Sequence, residues 1–154
     1  MEEKNRWIEE LKRIALDNID ILRNSSYPEN SIIIFDIDNT LLDAKGNRIN
    51  SIVTLYDYVK LLQIPLFIIT SRIGTKENIE KTQKQLYINK ITEYKCMYFL
   101  KPLDYDVYNF KNTARKDILK KGYKIIMTVG DSDWDLYHEN NSIAVKIPVY
   151  KNSE

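Results

Sequence analysis

The stretch IIIFDIDNTLLD, residues 32–43, decides the fold. Its unbroken β-branched and aromatic run, ending at Phe35, reads as a strand buried on both faces, the kind found in the middle of a parallel sheet. Asp36 and Asp38 then stand where that strand ends. Two neighbouring carboxylates repel and raise each other's pKa, and folding alone does not favour placing them there without a compensating cation. The stretch therefore points to a metal.

Outward from this strand, helical and extended periods alternate with short connections, which marks an α/β domain with a parallel sheet. The periods predict helices over 2–24, 51–63, 75–88 and 106–121, and strands over 31–36, 65–70 (PLFIIT), 96–100 (CMYFL), 124–129 (KIIMTV) and 142–147 (SIAVKI). A short helix is predicted from position 133, and a hairpin turn at Gly46. Together these give a five-stranded, mainly parallel sheet in a Rossmann-like three-layer sandwich. In the first helix Trp7, Ile8, Leu11, Ile14, Ala15, Ile19 and Leu22 share one face, so residues 1–26 read as an amphipathic helix packed on a domain spanning 27–154.

A chain of 154 residues with 44% hydrophobic content sustains one domain with a proper core. The 23 Lys and Arg against 22 Asp and Glu leave a formal charge of +1, which excludes a general pull toward nucleic acid or an anionic surface. Cys96 is the only cysteine, and its apolar neighbours predict a buried, inert thiol. No signal-like apolar region opens the chain, and no apolar stretch approaches about eighteen residues. A soluble, cytoplasmic protein with no membrane partner is expected.

In open parallel sheets, ligands bind at the carboxyl ends of the strands. The first strand delivers Asp36 and Asp38 there, the second Thr70, and the fourth Asp131, with Asp135 one helical turn on. Carboxylates, a hydroxyl and nearby lysines gathered at one edge suit a hard, oxygen-liking divalent cation, and Mg²⁺ fits best. Taken singly, the same residues read as caps, turns and ordinary strand formers. Trp134, inside GDSDWD, reads as packing. The ordered set points to catalysis.

That set resembles the motifs of the haloacid dehalogenase superfamily. DIDNT (36–40) is similar to the first motif, DxDxT; FIITSR (67–72) to the second, an apolar strand ending in Thr or Ser; VGDSDWDL (129–136) to the fourth, GDxxxD. The third is a lysine, and FKNTARKDILKKGYKI (110–125) resembles the form of the acid phosphatase branch, subfamily III, in which Lys is followed four residues later by Arg. Lys101-Pro102 resembles another form of that motif. Arg115 and the shorter gap to Asp131 favour Lys111.

The resemblance implies a Mg²⁺-dependent phosphomonoesterase. Asp36 would be the nucleophile that forms an aspartyl-phosphate, and Asp38 the acid and base that protonates the leaving oxygen and then activates water. Asp36, Asp131 and Asp135, with the backbone carbonyl of Asp38, would hold the metal, while Thr70 and Lys111 would hold the transferring oxygens. Ser71, Arg72 and Arg115 would bind substrate. Where this branch usually has Thr-Gly-Arg, the chain has Thr70-Ser71-Arg72, which adds a side chain beside the phosphate.

Between Thr40 and Thr70 lie 29 residues, and between Thr70 and Lys111 forty, too few for a large cap domain beside the predicted elements. The site is expected to be capless and open. That suits a small phosphorylated molecule, nucleotides included, or a terminal phosphate on a polynucleotide or phosphoprotein; a phosphate-binding scaffold without turnover is the non-enzymatic alternative. Tyr105, Tyr108 and Phe110 would stack a ring or, as their spacing favours, pack the following helix.

Overall fold

The computed structural model describes residues 2–150. In chain order the elements are α1 (Glu2–Arg23), β1 (Ser31–Phe35), α2 (Asn50–Leu61), β2 (Leu66–Ile73), α3 (Lys76–Ile88), β3 (Cys96–Leu100), α4 (Val107–Lys120), β4 (Lys124–Gly130), a 3-10 turn (Asp133–Asp135) and β5 (Ile143–Lys146). The strands form one sheet in the order β3-β2-β1-β4-β5, with every neighbouring pair parallel. The chain winds outward on one side of β1 and then returns to build the other. The crevice beyond the ends of β1 and β4 is therefore the topological switch point of an open α/β sheet.

All five residues of β1 are buried, and they divide by parity. Ile33 and Phe35 join the core under α1 and α2, which also takes Leu11, Leu22, Ile52, Val53 and Tyr56. Ile32 and Ile34 face the opposite layer, with Ala114 and Ile118 of α4. A strand alternates its side chains between faces, so an all-apolar run fits only where both faces are covered. The α1 face is close to the expected one: Leu11, Ala15 and Leu22 are buried, joined by Asn18, whose amide donates to the Ile14 carbonyl at 2.8 Å. Trp7 Nε1 donates to the Pro148 carbonyl at 2.6 Å, tying α1 to the segment after β5.

Three expectations change. β2 runs three residues beyond Thr70, with a register shift against β3 between Ile69 and Ile73, so Thr70, Ser71 and Arg72 occupy an irregular stretch. The helix expected after position 133 is a single 3-10 turn of three residues. Cys96 is only partly buried, because β3 is an edge strand and four of its five residues are partly exposed. Among the described residues, no helix is long and apolar enough to cross a membrane.

Candidate active site

Past Phe35 the chain keeps its sheet contact for one more residue, the Asp36 amide donating to the Val129 carbonyl at 3.0 Å. It then coils tightly: the amides of Thr40, Leu41 and Leu42 all donate to the Ile37 carbonyl at 2.9–3.2 Å, and Asn39 takes a left-handed φ of 57°. Asparagine tolerates that region better than most residues. The coil leaves Asp36 buried at 8% exposure and Asp38 half-exposed beside it. A loop follows, turning at Gly46, whose φ is 81°.

Asp36, Asp131 and Asp135 offer carboxylate oxygens that all lie within 4.8 Å of one another. Gly130 makes this possible, since a Cβ there would collide with the Asp135 side chain. Asp135 is anchored through Oδ2, which accepts from the Ser132 amide at 3.1 Å. Its Oδ1 pairs with the Lys111 ammonium, 2.7 Å from Nζ, and both side chains are buried. Lys111, 1% exposed, also donates to Asp36 Oδ1 at 3.0 Å and to the Ile69 carbonyl at 2.6 Å.

Burial drives the Asp36 carboxyl well above the ordinary carboxylate range; the Lys111 ammonium opposes this, while Asp135 and Asp131 add to it. Burial likewise raises Asp131, with Asp135 pushing the same way. Fully ionised, three carboxylates beside one ammonium would carry two net negative charges, which a divalent cation would offset. An all-oxygen donor set of three carboxylates, two of them buried, fits a hard cation.

The remaining expected residues fall into two groups. Thr70 is fully buried beside the cluster, its hydroxyl accepting from the Arg72 amide at 3.1 Å, and Ser71 is half-exposed next to it. Arg72 forks onto Asp38, with Nε to Oδ2 at 2.9 Å and Nη2 to Oδ1 at 2.7 Å, so the Asp38 side chain stands outside the three-carboxylate cluster. Arg115, 5% exposed, donates to the Trp134 carbonyl at 2.7 Å and braces the 3-10 turn. Lys101, the lysine of the alternative third-motif form, is exposed just after β3.

The aromatic residues near the edge depart from the packing expected of them. Tyr105 and Tyr108 are 87% and 61% exposed, and only Phe110 packs on the core. In the first turn of α4 Tyr108 and Asn109 face solvent, while the inward face takes Val107, Phe110 and Lys111. Trp134 is 38% exposed and contributes its carbonyl rather than buried area. Sequence spacing did not single out Thr82 and Gln85 of α3, which accept from Arg72 Nη1 at 3.2 and 2.7 Å.

Two solved structures share this architecture: the class C acid phosphatase of Bacillus anthracis with tungstate bound, and the class C acid phosphatase of the same organism. The TM-scores are 0.60 and 0.54, at 13% identity in both cases. The alignments cover 86% and 84% of this chain but 65% and 66% of those chains, so this chain spans just under two thirds of their length. No curated protein matches the chain. A family model described as HAD superfamily, subfamily IIIB (acid phosphatase), matches residues 44–153, a range that starts beyond Asp36 and Asp38 and takes in Thr70, Lys111, Asp131 and Asp135. On this match over most of its length, with a five-stranded parallel sheet and no cap domain among the described residues to accompany it, the chain belongs to the acid phosphatase subfamily IIIB of the HAD superfamily.

Proposed function

We propose that this chain is a Mg²⁺-dependent phosphomonoesterase working through an aspartyl-phosphate on Asp36. The observation that carries the reading is the meeting of Asp36, Asp131, Asp135 and Lys111 at the switch point of the sheet. Asp36 attacks phosphorus; as its new bond to phosphorus forms, the bond to the ester oxygen breaks. Asp38 gives that oxygen a proton and later takes one from the water that releases phosphate. Lys111 and the Thr70 hydroxyl hold the transferring oxygens, since phosphoryl transfer depends mainly on positioning and charge stabilisation. Asp36, Asp131, Asp135 and the Asp38 carbonyl would hold the cation, which supplies charge to offset repulsion between carboxylate and phosphate.

Of the three residues expected to bind substrate, Ser71 keeps that role at the open mouth, while Arg72 and Arg115 serve the site by holding Asp38 and the Trp134 carbonyl. The substrate is a small phosphate ester. Nucleotides are the first to try, because the exposed rings of Tyr105 and Tyr108 offer stacking faces to a base. The test is phosphate release from nucleotides, sugar phosphates, phosphopeptides and 3′- or 5′-phosphorylated oligonucleotides, with Mg²⁺ and with EDTA. Metal-dependent release from small esters is expected. Release confined to peptides or oligonucleotides would move the substrate class to macromolecular ends, and none from any substrate would leave a phosphate-binding scaffold.

A further inference from the structure

The Arg72 guanidinium is held along two edges. Nε and Nη2 grip both oxygens of Asp38, while Nη1 donates to Gln85 Oε1 at 2.7 Å and Thr82 Oγ1 at 3.2 Å. We propose that Gln85 is a positioning residue for Asp38, acting through Arg72. This rests on the reading of Asp38 as the proton donor to the leaving oxygen.

Asp38 needs such a device. Its side chain is 46% exposed, and among the described residues the hydrogen bonds to its carboxylate come from Arg72 alone. A bidentate guanidinium fixes a carboxylate in plane and direction, which a single donor does not. Each carboxylate oxygen offers about two lone-pair sites, so the grip of Arg72 leaves room for exchange of a proton with a substrate oxygen. An arginine has a long flexible stem, however, and transmits position only if its far edge is also fixed. That far edge sits on α3.

Gln85 lies in its turn against the loop after β1. A Cβ on Gly46 would collide with the Gln85 amide nitrogen, so the absent side chain leaves the space that the amide fills. One turn further along α3, the Asn89 carbonyl accepts from Arg48 Nη1 at 2.7 Å, joining loop and helix again. The stack therefore runs from the Gly46 turn to Gln85, to Arg72 and to Asp38. Gln85 and Arg72 are 13 positions apart, and Arg72 and Asp38 are 34 apart, so only the tertiary fold brings them together.

The experiment compares kcat/KM for an alkyl phosphate, whose leaving alkoxide requires a proton, with that for 2,4-dinitrophenyl phosphate, whose leaving phenolate does not. This parameter reports steps up to formation of the aspartyl-phosphate, where the proton is donated. Gln85→Met, which keeps length but loses the acceptor, should lower the alkyl-to-aryl ratio about tenfold, within the range set by misplacing a reacting group. Gln85→Glu, which keeps an acceptor for Nη1, should hold the ratio within about twofold of wild type. A merely structural residue would lower both substrates together. Asp38→Asn, run alongside, should lower the ratio further.

If Asp38→Asn depresses both substrates alike, the reading of Asp38 fails and the inference falls with it. If Asp38→Asn lowers the ratio and Gln85→Met does not, the inference alone is overturned. Should Gln85→Met fail to fold, Gln85→Ala removes the same acceptor in a smaller, helix-favouring side chain; an unchanged ratio there overturns the inference, and a lowered one supports it.

Discussion

Lys111 is an almost fully buried cation whose ammonium touches two carboxylates and a carbonyl. Burying a charge is costly unless its partners surround it, and here the surrounding groups are those that would bind phosphate and metal. Lys111→Met should therefore lower kcat by roughly a hundredfold or more, the scale of a lost oxyanion donor, while exposed Lys101→Met should leave it near normal. Parallel steady-state assays check this; the reverse pattern would contradict it. The carboxylates and Lys111 were legible from the sequence because each belongs to a short motif at a strand end or helix start. The grip of Arg72 on Asp38 was not, because no periodicity or spacing records a pair 34 positions apart.

At the scale of elements, β1 acts as a rigid anchor from which the site projects. Ile33 has no exposed surface, so Ile33→Ala should cost about 2–5 kcal/mol of stability, measured as a lower urea midpoint at unchanged m-value. The anchoring strand was readable because a run apolar on both faces fits only a central parallel strand. Less readable was the end of β2, where a register shift against β3 re-aims Ser71 and Arg72; irregularities of this kind depend on the partner strand, not on local propensity. Gly130 belongs to this scale as well. Gly130→Ala would push Asp135 out of the cluster, and the expected outcome is weaker Mg²⁺ binding by calorimetry with the sheet retained by circular dichroism.

For the molecule as a whole, the acidic cluster would link metal, proton and folding. Burial raises both Asp36 and Asp131, so in the metal-free protein the folded state holds their protons more tightly than the unfolded chain does. Their contribution is present below the unfolded pKa of about 4 and is lost as pH rises through the higher folded values. A cation that binds only the folded state restores stability, by about 2.7 kcal/mol at a hundred times its Kd. The Mg²⁺-induced rise in Tm should therefore grow from pH 4 toward pH 7, and a rise independent of pH would contradict the linkage. The most direct test of the proposed chemistry is phosphate release from a small phosphate ester in Mg²⁺ by the wild-type chain and by Asp36→Asn, both verified as folded. The amide keeps the shape of the side chain but cannot attack phosphorus, so release should fall to background; equal release by the two proteins would contradict Asp36 as the nucleophile.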